Sequence, residues 1–252
     1  HSVSFGFTRD KQIEIREAPG TKNNPRKRQT GQPSGRTWGY KAAGLFKDQA
    51  DIDNWAYQKG VMPGDIKYVD INGDGKIDSE DQVIIGFNQT PEVMWGYNLR
   101  LEYKNFDFSM FIQGAGGSDY YLGSNGDRNV RYPFKDAIHP RREHLDSWTE
   151  SNPNPNAKYP RLSASIRNQN YETSSYWMVN TTYVKLKSLQ VGYTFKPELL
   201  KKAKMQSLRL YADFYNLWTI YSQMPDDFDV ENQAFNSYPQ QIVSSFGVSV
   251  TF

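Results

Sequence analysis

The chain has 252 residues, with 30 basic and 28 acidic side chains well mixed, a formal net charge of +2 and no cysteine. That balance gives no electrostatic case for a nucleic-acid partner, and the lack of thiols excludes a disulfide scaffold and thiolate metal sites. No run of roughly 20 apolar residues exists, so helical membrane spanning is excluded; a mean hydropathy of −0.77 does not exclude a β-barrel, whose strands alternate and whose outer loops are polar.

Val3, Phe5 and Phe7 alternate with Ser and Gly and predict a first strand. His1 reads as a processed end or an internal point of a longer chain, since no initiator Met or secretory signal stands there. A long connection covers roughly 9 to 91. Its basic cluster, Lys22 to Arg28, has no interleaved aromatics and reads as a solvated loop.

Residues 70 to 81 carry the one strong chemical motif, matching the calcium-loop pattern D-x-[DN]-x-[DN]-G. Asp70, Asn72 and Asp74 alternate so that their oxygens converge, Gly75 permits the sharp turn, Lys76 offers its carbonyl, and Asp78 binds directly or through water. Asp81 stands where the EF-hand uses a bidentate Glu, and the shorter side chain predicts either weaker binding or a site that depends on water ligands. An acidic, Gly-rich turn without an ion is the plainer alternative. The flanks lack two amphipathic helices, so a calcium switch of the sensor kind is not expected.

Val93 to Tyr103 is apolar at odd positions, Lys104-Asn105 predicts a tight turn, and Phe106 to Gln113 is apolar at even positions. This is a hairpin of two strands long enough to cross a tilted barrel wall. From about 115 to 176 runs a second long connection. Gly114 to Gly117 reads as a strand exit, and His139, Glu143 and His144 miss the spacing of a zinc helix. Tyr120, Tyr121, Tyr132, Tyr176 and Trp177 are candidate sugar-stacking rings, or equally an interfacial girdle.

Alternation returns from Thr182 to Phe195 with a change of phase at Lys187-Ser188 that predicts a β-bulge. Pro197 to Gln206 reads as a helical turn and Leu208 to Phe214 as a strand. A third long connection, 220 to 241, contains Asp226, Asp227, Asp229 and Glu231, and nothing in the sequence sets two of these across a sugar. The last strand, Ile242 to Phe252, is the most regular. About six spanning strands result, joined by short turns at one end and long loops at the other, which is the pattern of an outer-membrane barrel. Strands beginning near 93, 177 and 242 would run inward and those near 3, 106 and 208 outward. Asn98, Arg100, Glu102, Asp107, Gln113, Arg209 and Asp213 would then face the lumen.

The segments Tyr68 to Asp78, Ile84-Ile85-Gly86, Trp95-Gly96 and Lys104 to Phe108 resemble, in order, the C-terminal part of TonB-dependent transporters of the SusC/RagA type. So do Trp38 to Phe46, Trp148 to Pro153 with Tyr159 to Leu162, Tyr183 to Leu189, Tyr193 to Phe195, Asn216 to Thr219 and the final Phe252. The resemblance implies an all-β fold: residues 1 to 252 as the C-terminal strands of an antiparallel barrel of about 22 strands, with the calcium-type loop 70 to 81 external and the plug domain not among these residues. It implies a multi-pass protein of a Gram-negative outer membrane that is not an enzyme and uses no organic cofactor. It further implies import of oligosaccharides or peptides, with a SusD-type surface lipoprotein over the opening and energy from the TonB complex through the N-terminal part. Phe246, Val248, Val250 and Phe252 would signal insertion to the barrel-assembly machinery. The alternative from a different class is a soluble glycan-binding β module with a calcium-stabilised loop, and such a module would purify without detergent.

Overall fold

The computed structural model describes residues 1–122, 140, 142–163, 169–225, 228–232 and 238–252. Their main body is one six-stranded antiparallel sheet formed by β1 (Ser2–Phe7), β6 (Val93–Tyr103), β7 (Phe106–Gly116), β10 (Tyr183–Thr194), β11 (Ser207–Ser222) and β12 (Val243–Thr251), in that spatial order. Each strand pairs with its predecessor in the sheet. The edges are β1 and β12.

Register turns the sequence alternation into two unlike faces. Leu101 opposes Phe108, Phe108 opposes Val191, Val191 opposes Ala212, and Ala212 opposes Phe246, giving an apolar row across five strands. One residue along, Arg100, Ser109, Gln190, Asp213 and Ser245 form the matching polar row. Residues directly opposite share a face, so each row is continuous. The apolar side packs against no core: Phe5 is 71% and Phe246 80% exposed, as for a wall whose outer solvent is hydrocarbon.

The predicted turn and bulge are where they were expected. Lys104, at φ 55, begins the two-residue turn between β6 and β7, the left-handed conformation such hairpins favour. Register against both β7 and β11 shifts between Leu186 and Ser188, so Lys187 and Ser188 absorb the change of phase. Between β10 and β11, Pro197–Leu200 is helical, Lys201–Ala203 is a 3-10 turn, and Lys204 at φ 54 ends it.

Two boundaries differ from the sequence reading. The strand expected near 177 begins at Tyr183; the preceding β9 (Met178–Asn180) pairs instead with β8 (Asp119–Tyr121). β11 continues well past Phe214 to Ser222, because Asn216 at φ 53 sits beside the register shift and breaks the visible alternation without ending the pairing.

All three long connections leave the sheet at one end, where they build a folded cap. It holds the ribbons β2 (Thr37–Gly39) with β5 (Val83–Gly86), β3 (Ala42–Leu45) with β4 (Ile66–Tyr68), and β8 with β9. The largest hydrophobic cluster among the described residues lies here, around Leu45, Ile66, Tyr68, Trp148, Tyr159 and Trp177. The cap is clasped to the wall by Glu92, which receives Arg9 and, at 2.8 Å, Arg36.

Candidate functional site

The calcium-type loop curls as its sequence requires. Gly73 and Gly75 take φ 77 and 83. Asp70 accepts the N–H groups of Gly73 at 2.6 Å and Gly75 at 2.8 Å, while Asn72 and Asp74 each accept the N–H two residues on. Donation from Gly75, then Gly73, holds the Asp70 carboxyl below the usual carboxylate range. The Lys76 ammonium, 2.9 Å away, does the same for Asp78, helped by the Glu80 N–H.

Those lowered values fix the sign of a pH effect. A carboxyl titrating lower in the fold than in the unfolded chain adds stability above its unfolded value near ~4, and that stability is lost as pH falls through the folded value. Amide protection at Gly73, Gly75 and Glu80, corrected for intrinsic exchange, is therefore expected to persist at neutral pH and vanish only below ~4. Protection that is already absent at neutral pH would contradict this assignment.

The donor set fits a calcium loop in part. Its backbone curl and the Asp70, Asn72 and Asp74 positions agree. Asp81 is fully buried and spends one oxygen on the N–H groups of Ile71 and Asn72 and the other on Asp78. It braces the loop from beneath, where the sequence reading had it among the ligands. Lys76 lies against Asp78 and, at 3.7 Å, Asp74, so its ammonium must leave before a cation enters. Among the described residues no three His, Asp or Glu side chains are gathered closely enough to hold a metal.

The candidate ring platform is mostly core. Tyr120 and Trp177 are 7% and 2% exposed in the cap cluster, and Tyr121 and Tyr176 pack against it. The Tyr176 hydroxyl donates to the Ala157 carbonyl at 2.9 Å, and burial pushes its pKa up. Their ring faces are engaged in packing in this arrangement of the cap. Tyr132 lies outside the described residues.

Sequence reasoning missed the buried polar frame of the cap. β4 is only three residues long, and side chains complete its hydrogen bonding: Gln58 bonds the Ile66 carbonyl and the Tyr68 N–H, and Asn170 accepts from the Ile66 N–H at 2.7 Å. Asp65, 1% exposed, accepts from Asn170 at 2.8 Å, from the Met62 N–H at 2.8 Å and from the Arg161 guanidinium at 3.2 Å. Arg161 Nε also approaches Asp65 at 2.6 Å, as an ion pair without hydrogen-bond alignment.

The polar face of the sheet carries the predicted lumen residues together. Arg209 bridges Asp107 at 2.5 Å and Gln190 at 3.1 Å, and Gln190 donates to Asp213 at 2.5 Å. A recess of about 960 Å³ at the short-turn end is lined by Asn98, Arg100, Asp107, Gln190 and Arg209. Toward the cap, Lys185 and Lys187 both contact Glu231. Two lysines two apart, flanking Leu186 and following Val184, were the available signal for this cluster. Phe246, Val248 and Val250 line the apolar side of edge strand β12, and Phe252 is exposed just beyond it.

No family model matches the chain. It is 29% identical over 237 residues to the TonB-dependent receptor P3 of Formosa agariphila, a match covering 86% of the chain and 22% of that protein. It is 24% identical over 200 residues to the TonB-dependent receptor SusC of Bacteroides thetaiotaomicron, covering 78% of the chain and 18% of that protein. Among solved structures, the RagAB peptide importer in its open-open state matches at a TM-score of 0.66 and 18% identity, over 99% of this chain and 26% of that one. The structural likeness is one of fold, and the six-stranded sheet is accordingly a stretch of barrel wall. The chain spans about a fifth of the length of these two sequence relatives.

Proposed function

Proceeding from a chain that is similar, in sequence and in fold, to part of TonB-dependent receptors of the SusC/RagA type, we propose that it forms the last wall strands and outer cap of an outer-membrane importer. The observation that supports this most is the pairing of a two-faced sheet with long connections gathered at one end. An apolar outer face and a polar inner face suit a lipid-embedded pore, and the cap then lies outside the cell. Cargo is an oligosaccharide or a peptide, taken up with a SusD-type lipoprotein over the cap and TonB-derived energy, by binding and conformational change without covalent chemistry. The likeness in fold to the RagAB peptide importer supports the peptide alternative.

Deletion of the gene, with uptake measured for labelled oligosaccharide and peptide panels, tests the reading. One class is expected to be lost, and to return with the gene only while the inner membrane is energised. Unchanged uptake of both classes would refute import.

Calcium belongs to the same proposal, as a brace of the external loop. Asp70, Asn72, Asp74, Asp78 and the Lys76 carbonyl would hold it, with Asp81 fixing the loop beneath them. Calorimetric titration of the complete receptor is expected to show a site with Kd of about 10⁻⁴ to 10⁻³ M, absent in Asp70→Asn. No heat of binding in the wild type, together with a melting temperature indifferent to chelator, would remove calcium from the account.

A further inference from the structure

We propose that Tyr183, Lys185 and Lys187 form a carboxylate-binding row on the inner wall, occupied in this structure by Glu231 of the chain's own loop, and that a carboxylate on a transported molecule displaces it. The inference rests on the import reading for its cargo and on the geometry of the wall for its site. Tyr183 and Lys185 are alternate positions of β10 and project to one face, and Lys187, at the bulge, reaches the same side chain as they do. Their donors meet on one side chain: the Tyr183 hydroxyl is 3.3 Å from Glu231 Oε1, Lys185 Nζ is 3.3 Å from Oε2, and Lys187 Nζ is 3.0 and 2.8 Å from the two oxygens. Gln113 donates to the Tyr183 oxygen at 3.0 Å, which leaves the hydroxyl proton for Glu231.

A single carboxylate is in direct contact with both ammonium groups. The side chains of Lys185, Lys187 and Glu231 are 6%, 9% and 11% exposed, and burying an ammonium is costly unless it is paired. Asp229 is the nearby candidate for a second counter-charge, but it is spent on the backbone, accepting the N–H groups of Glu231, Asn232 and Gln240 at 2.8 to 2.9 Å. Burial opposes its charge, and those N–H groups, helped by the Lys185 ammonium, still hold its carboxyl below the ordinary range. Lys187's further partners, the Gln240 side-chain amide oxygen at 3.4 Å and the Tyr215 ring at 5.0 Å, are neutral. Asp229 thus adds a second negative charge without direct contact, and Glu231 is the carboxylate that both ammonium groups touch among the described residues. An incoming carboxylate gains both, together with the tyrosine hydroxyl.

Displacement has a mechanical consequence. Val230, next to Glu231, is 5% exposed and packs on Ala115 and Tyr183 of the wall. Losing the Glu231 contact removes the polar part of this stretch's hold on the wall, beside that small apolar contact.

The ligand chemistry is a carboxylate, carried either by an acidic peptide or by a uronic-acid sugar. Val230→Cys in the complete receptor gives a buried reporter in a stretch of 252 residues without cysteine, and its alkylation rate, after subtraction of the wild-type receptor's, reads loop release. The probes are N-acetyl-Glu-Glu-amide and trigalacturonate, each against its neutral counterpart, the Gln-Gln peptide and galactotriose, at matched ionic strength. Glu231→Gln is expected to raise the rate about tenfold, equivalent to ~1.4 kcal/mol. An acidic probe is expected to do the same in the wild type and to lose its effect in Lys185→Gln/Lys187→Gln. Whichever acidic probe acts identifies the source. A wild-type rate in Glu231→Gln, or equal effects of acidic and neutral probes, would overturn the row. A responsive reporter in a receptor that imports nothing would instead sink the import reading and leave the row standing.

Discussion

Val191→Arg is expected to lower the stability of the folded barrel by about 2 to 4 kcal/mol, the cost of an arginine facing lipid at the midplane. Val191 is mid-strand in β10, directly between Phe108 and Ala212, with Leu101 and Phe246 one strand further on either side. It is 41% exposed with apolar neighbours in every direction along its row, so a guanidinium there has no counter-charge and must reach an interface. Its counterpart on the other face is Ser245, opposite Asp213. Ser245→Arg is expected to cost under ~1 kcal/mol, because the inner face is polar and an exposed ion pair contributes little either way. Reversible denaturation of the receptor from lipid vesicles measures both. Equal costs for the two substitutions would mean that the sheet does not separate lipid from lumen.

Asp65→Ala is expected to destabilise the cap by about 3 kcal/mol, the low end for breaking a buried ion pair because Arg161 keeps some solvent. The carboxylate of Asp65 binds Arg161, Asn170 and the Met62 N–H at once, and Asn170 in turn completes the backbone bonding of Ile66 and, through its carbonyl, holds the Trp177 indole at 2.9 Å. Removing the hub leaves each of these buried donors without its partner, which costs more than the bonds themselves contribute. Asp65→Asn keeps the shape and loses the charge, so its effect should fall between wild type and Ala. Trp148 and Trp177, both buried in the cap, report the loss through fluorescence during chemical denaturation, while the far-ultraviolet signal of the sheet follows the wall. A cap transition unmoved by Asp65→Ala would show that the hub does not hold it.

These two residues also mark what a sequence can and cannot disclose. Val191 was readable because a barrel wall repeats every second residue, and the period places each side chain on a face; the phase change at Lys187-Ser188 was readable for the same reason. The period fails where the backbone inserts a residue without ending the strand, and so the extension of β11 past Asn216 was hidden. The cap has no period. Its strands are three or four residues long, and its hub joins residues 105 apart in the chain. Tyr120 and Trp177 looked like surface rings because they sit in long polar connections, and only the fold shows that those connections enclose a core. The calcium-type loop was legible in its donors and its glycines, whereas the buried seat of Asp81 follows from contacts that spacing alone does not specify.

The separation of the cap cluster from the apolar face of the wall means that one chain is folded against two solvents. Leu45, Ile66, Tyr68 and Trp177 are withdrawn from water, so melting the cap exposes apolar surface with the positive heat-capacity change that bends a stability curve and weakens it on cooling. In the proposed importer Val191, Phe108 and Leu210 would face hydrocarbon whether the wall is tight or loose, and the same increment would not arise there. Cold would thus loosen the receptor's outer surface before it touched the pore.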